Sequence, residues 1–195
     1  MQEEKAMRLL IAYGTTDGMT AKIADRIAST VRSAGHESFV LPTRKAPRHF
    51  DASAFDGILV GASVHAGGFQ RSTARFIRRH IATLRERPSG FFAVCMAIAS
   101  RFPKEREEAR RHALRFPVSC GWLTDTVEVF AGALRFSRYG FLRRRVMLSI
   151  ARKEVGELDP SRDYEYTDWD AVDRFALDFV ARTAGDVPVP GHGTA

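Results

Sequence analysis

The residues best able to do chemistry stand together near the amino terminus: Tyr13, Gly14, Thr15, Thr16, Asp17, Gly18, Met19 and Thr20. Met7–Tyr13, a short apolar run, leads into them, and a stretch of helical periodicity follows. Hydroxyls at Thr15, Thr16 and Thr20 can donate to the oxygens of an anion. Gly18 permits a turn that brings backbone N–H groups inward. The helix behind the loop adds unpaired amides and a partial positive charge. This chemistry is that of holding a phosphate. The loop has no lysine, so it is not a Walker loop, and it lacks the GxGxxG spacing of a dinucleotide site. The same residues also suit a plain Thr/Gly turn with a helix cap. The loop alone leaves both readings open.

Two further loops offer a flat site. Gly61, Ala62, Ser63, Val64 and His65 lead into Ala66, Gly67, Gly68 and Phe69. Small side chains there let the backbone approach a planar ligand closely. His65 can stack on a ring, donate to it or attract carboxylates; a solvated loop histidine is the alternative. Cys95, Met96, Ala97 and Ile98 follow another apolar run and form the opposite wall. Phe69 is the only aromatic in these stretches, which implies an open ring face. Cys95 and Cys120, the two cysteines, have neither CxxC nor Cys/His spacing. They read as reduced, buried thiols, and no metal site is expected.

Such loops work only if a sheet presents them together. Apolar runs at 7–13, 38–41, 58–62, 90–96 and 126–132 read as strands. Helical spacing fills 20–34, 69–87, 104–116 and 168–180, with Gly35 closing the first helix and Asp168 or Thr167 capping the last. This alternation predicts a parallel sheet with helices on both faces. Ligands then bind at the carboxyl ends of the strands. At 195 residues and 45% hydrophobic content, one domain over 7–184 is expected, with a disordered tail over 185–195. No stretch has the make-up of a signal peptide or a bilayer-spanning helix.

The formal net charge is +7 and the pI about 9.9, a balance that suits an anionic partner. The excess concentrates in a long excursion, 133–167, before the last helix. Arg135, Arg138, Arg143, Arg144, Arg145, Arg152 and Lys153 fall there, and no acid lies between Arg135 and Lys153. Apolar residues interleave with them, so 141–153 suits an amphipathic helix with arginine edges. A helix of this kind can lie on an anionic membrane surface or pack on its own domain with a solvated basic face. No nucleic-acid motif accompanies it, and nucleic acid is not expected as a partner.

The first loop resembles the FMN-phosphate loop of flavodoxins, in Gly14, Thr15, Thr16, Gly18 and Thr20. Asp17 stands where threonine is more usual and Met19 where asparagine is. An acid beside a phosphate is costly unless its side chain turns away. Thr15–Thr20, Gly61–Val64, Ala131–Tyr139 and Tyr166–Trp169 together resemble the menaquinone-dependent protoporphyrinogen dehydrogenase family, over about 7–181. The resemblance implies a flavodoxin-like, doubly wound, five-stranded parallel sheet of order 2-1-3-4-5 with a basic helical insertion before the last helix. It implies FMN held by the three loops, 14–20, 62–65 and 96–98. It further implies oxidation of protoporphyrinogen IX to protoporphyrin IX in haem biosynthesis, electrons passed to a membrane quinone, and a cytoplasmic protein peripheral to the inner face of the cell membrane. Arginines such as Arg135, Arg138 or Arg143 can pair with the two propionates of that substrate. No residue stands out as a general base, and a homo-oligomer is left open. The rival readings are a generic FMN quinone reductase, a flavodoxin that only carries electrons, and a module that has lost FMN. The basic pI counts against an electron carrier, since such carriers tend to be acidic.

Overall fold

The computed structural model describes residues 6–65 and 67–185. Within the excursion it places the backbone but not the side chains of Arg138, Leu142, Arg143, Val146, Met147, Ile150, Lys153 and Glu154. The expected tail beyond Gly185 lies outside the described residues.

Five strands form one parallel sheet: β1 (Arg8–Tyr13), β2 (Glu37–Pro42), β3 (Gly57–Ser63), β4 (Ser89–Val94) and β5 (Val127–Phe130), in the order β2-β1-β3-β4-β5. The expected order 2-1-3-4-5 is therefore observed. The central strands are apolar on both faces because helices cover both. On one side α1 (Met19–Ser33) and α6 (Trp169–Ala184) pack with Leu9, Ile11, Leu59 and Phe92. On the other, α2 (Arg71–Arg79), α3 (Ile81–Glu86) and α4 (Pro103–Ser119) lie over a core that includes Leu10, Ile58, Phe91 and Trp122. Ala12 and Gly61 leave room at the centre; a Cβ at Gly61 would stand 2.1 Å from the Phe92 ring.

One expectation changes in detail. The helix read over 69–87 breaks at His80, whose backbone leaves helical geometry at φ −106°, ψ 21°. The turn lets the His80 ring bury against Phe76 at 4.5 Å and edge-on to Phe50 at 6.0 Å. Phe69 stacks on His112 and packs tilted against Phe116 beside the core. Both cysteines are free and buried, as expected.

The excursion has structure of its own. β6 (Ala133–Leu134) pairs antiparallel with β7 (Tyr164–Glu165), and α5 (Phe141–Val155) lies between them in sequence. Leu134, Phe136, Tyr139 and Ala151 form a small buried core there, with Met96, Leu148 and Leu158 against it. Lys22 of α1 pins this unit to the main body. Its ammonium meets Glu165 at 2.8 Å and lies 4.9 Å from the Trp169 ring, and the Trp169 indole N–H donates to the same carboxylate. Burial pushes the Glu165 carboxyl up, but the Lys22 and Trp169 bonds outweigh it and the net shift is downward.

Candidate functional site

The carboxyl ends of β1, β3, β4 and β5 open into one cleft. Thr15, Thr16, Asp17, Met19 and Thr20 line one side; Ser63, Val64 and His65 line another; Val94, Met96, Gly132 and Ala133 close it. The three loops singled out in the sequence thus meet. The enclosed part is only about 50 Å³, small against the few hundred Å³ of a typical ligand pocket. A phosphate-sized group suits the closed end, and a flat ring would rest on the rim.

The closed end is built as an anion cradle. Gly18 has φ +85° and is the cap residue of α1, so the helix begins on a residue without a side chain. Its own N–H is taken by the Thr15 hydroxyl at 2.9 Å. The cap residue makes no side-chain cap bond, and the first turn carries no acid. Unpaired amides and a helix dipole leave this end electropositive. Thr20 is buried, and among the described residues its hydroxyl has no hydrogen-bond partner. A buried, unpaired hydroxyl costs about 1–3 kcal/mol, which a phosphate oxygen accepting from it would relieve. Arg135 adds a cation: its guanidinium lies 3.9 Å from the Met19 sulfur.

Sequence reasoning missed the clamp that joins the first two loops. Gln70 donates from Nε2 to Ser63 Oγ at 2.7 Å and Thr16 Oγ1 at 3.1 Å, and accepts from Ser63 N. Gly14 fits under it: a Cβ there would meet Thr73 Oγ1 at 2.2 Å, and its N–H bonds Gly61 O. The sequence reading places Gln70 inside the helix over 69–87, whereas the structure starts that helix at Arg71 and makes Gln70 its cap residue. Val94, Gly132 and Ala133 were also missed, because they flank strands whose apolar character spoke only of the core.

The other expected residues divide. His65 is exposed on a tight bridge with Gly68. Ala62 is buried within β3, and Ala97 and Ile98 form a short 3-10 turn beside the cleft. Burial raises the Cys95 thiol pKa, against bonds from the amides of Ala97 and Ile98, so Cys95 is a support for this turn and a poor nucleophile. Arg144 turns inward to bond the Pro160 carbonyl. Arg145 is exposed, 5.9 Å from the exposed Phe141 ring. The side chains of Arg138 and Arg143 lie outside the described residues.

Sheet order, crossovers and an uncapped helix at the first switch point define a flavodoxin-type α/β domain. A model of the flavodoxin domain matches residues 10–161. In the solved structures, flavodoxin 2 of Bacillus cereus aligns with a TM-score of 0.53 at 18% identity, over 90% of this chain and 99% of that one. A short-chain flavodoxin associated with a non-canonical PDU bacterial microcompartment gives 0.54 at 12% identity, over 91% and 99%. Both show the shared fold. Among curated proteins, one named protoporphyrinogen IX dehydrogenase (quinone) from Leishmania major is 32% identical over 187 residues, 96% of this chain and 80% of that protein. The protein of the same name from Escherichia coli K12 is 29% identical over 91% of this chain and 97% of its own. The chain belongs to this protoporphyrinogen IX dehydrogenase family of flavodoxin-domain oxidoreductases.

Proposed function

We propose that the chain binds FMN in the cleft and oxidises protoporphyrinogen IX to protoporphyrin IX in haem biosynthesis, delivering electrons to a quinone at the membrane. The observation that carries the cofactor reading is the buried, partnerless Thr20 hydroxyl at an uncapped helix start. The residues fit the group. Thr15, Thr16, Gly18, Met19 and Thr20 would hold its phosphate, and Ser63–His65 with Met96–Ile98 would flank its ring. Bound FMN supplies the two-electron acceptor that the side chains lack. The residues of the cleft bind and orient, Gln70 holds the first two loops at fixed separation, and Arg135 offsets charge beside α1. The substrate reading is supported by the names of the two relatives.

Purified protein should show flavin absorbance that denaturation releases as free FMN. Colourless protein that takes up no added FMN would refute the cofactor reading. Under anaerobic conditions protoporphyrinogen should bleach the bound flavin. A flavin that quinol or reduced nicotinamide bleaches, but porphyrinogen does not, would make this a generic quinone reductase.

Membrane contact is a separable part of the proposal. Among the described residues no helix is long and apolar enough to cross a membrane. Phe141, 73% exposed, stands beside exposed Arg145 at the start of α5, a pairing suited to an anionic lipid surface. Vesicles of anionic lipid should sediment the protein at low salt and less at high salt; equal binding to neutral vesicles, or none to either, rejects the electrostatic mechanism.

A further inference from the structure

Among the described residues a second cavity is larger than the cleft. It has a volume of about 660 Å³ and is lined by Arg101, Arg152, Gly156, Glu157, Leu158 and Asp159. That volume falls among sites that take whole organic ligands. Its walls come from two sources: the loop after β4, and the last turn of α5 with the segment following it.

The two openings are coupled. Met96 lines the cleft and Arg101 the cavity. Five residues of chain can span no more than about 18 Å, and the turn over Met96–Ala99 shortens that. Met96 and Leu158 also pack against the same small core of the excursion. A ligand seated between α5 and the third loop therefore lies against the wall that would flank the flavin.

The charges have a pattern. Arg101 and Arg152 are exposed, and among the described residues neither has a carboxylate partner. Asp159 is already committed: its carboxylate accepts from Ser161 N at 2.8 Å and Ser161 Oγ at 2.7 Å. Glu157 remains as an acceptor. The Arg101 guanidinium, 4.9 Å over the Phe102 ring, and that of Arg152 stand beside Leu158 with Glu157 as one acceptor, a set that matches a ring molecule with two carboxylate arms and N–H donors. A porphyrinogen has two propionates and four pyrrole N–H groups.

Building on the porphyrinogen reading above, we propose that this cavity is the tetrapyrrole site and that Arg101 and Arg152 bind its two propionates. The arginines expected from the sequence were Arg135, Arg138 and Arg143; Arg135 instead stands at the phosphate end of the cleft. Charge-assisted pairs with carboxylate are strong and directional, so each arginine should matter for affinity and neither for holding FMN.

The test uses the flavin-loaded full chain and the stable product, protoporphyrin IX, titrated by its fluorescence, beside its dimethyl ester, which lacks both carboxylates. Arg101→Gln and Arg152→Gln should each weaken diacid binding about tenfold, and the double variant more. Binding of the diester and the flavin spectrum should stay as in the wild type. A double variant that binds the diacid like the wild type overturns the proposal. Equal loss of diacid and diester overturns it too, because charge pairing is then not the cause. So does a wild type that binds neither. Flavin bleaching by porphyrinogen in the wild type separates this from the broader reading. If it bleaches while the double variant keeps its affinity and KM, only the site assignment fails; if it does not bleach, the porphyrinogen reading itself fails.

Discussion

Two helices of this molecule begin at the same end of the sheet and begin differently. α6 opens on Asp168, whose carboxylate accepts from the Ala171 amide at 3.0 Å. Its first turn is closed by its own chain. α1 opens on Gly18, which has no side chain to offer, and the buried Thr20 hydroxyl within that turn has no partner among the described residues. The two helices are neighbours on one face of the sheet, so burial and fold do not explain the contrast. One start is finished for stability. The other leaves its donors open and makes sense with an anion in place.

The sharpest way to break this comparison is Thr20→Val. The change keeps shape and removes the hydroxyl. FMN affinity should fall roughly 10- to 100-fold, as expected for one hydrogen bond to a charged group. Without FMN the variant should melt at or above the wild-type temperature, because an unsatisfied buried hydroxyl is gone. Isothermal titration of flavin-free protein and a melting curve give both readings. Unchanged FMN affinity would return Thr20 to an ordinary packing role. Gln70→Ala comes next. It frees the Thr16 and Ser63 loops, and FMN affinity should drop about fivefold, near 1 kcal/mol.

Asp168→Ala is the counterpart on the finished helix. Losing a cap should cost about 1 kcal/mol, a melting shift of about 2–4 °C at this chain length. FMN affinity should not move. If it does, the two helix starts are not separate in function, and the contrast loses its meaning.

What the sequence shows and hides follows the same division. The strands, α1, α6 and the Asp168 cap were legible because periodicity and capping are local. Gly14–Thr20 was legible as an anion loop because its residues are consecutive. Gln70 was not, since its partner Thr16 lies 54 residues away. The break at His80 was hidden because the apolar stripe runs straight through it, and the tertiary contact of His80 with Phe50 leaves no local signal. β6 and β7 have two residues each, too few for any period. The place of Arg135 beside Met19 depends on that ribbon, so the sequence could assign it to the basic stretch but not to the phosphate end.

The smallest effect concerns what holds the two helices side by side. The Arg26 guanidinium donates to both oxygens of Asp173, and Thr30 donates to one of them. These bonds hold the Asp173 carboxyl below its ordinary value, with Arg26 the main cause and burial opposing. A carboxylate whose pKa is lower folded than unfolded stabilises the protein above the unfolded value, near 3.8, and loses that contribution as pH falls through the folded value. Asp173→Asn should therefore melt slightly below the wild type at pH 7, and the gap should close as pH falls through the lowered folded value of the Asp173 carboxyl. Arg26 is exposed and Asp173 half-buried, so the gap should also shrink with salt. FMN affinity should be the same in both, because Asp173 of α6 meets α1 at Arg26 and Thr30, about two turns or more beyond Gly18. A gap that widens in acid would mean that the bonds to Asp173 do not tie α1 to α6, and that packing alone aligns the open helix start with the closed one.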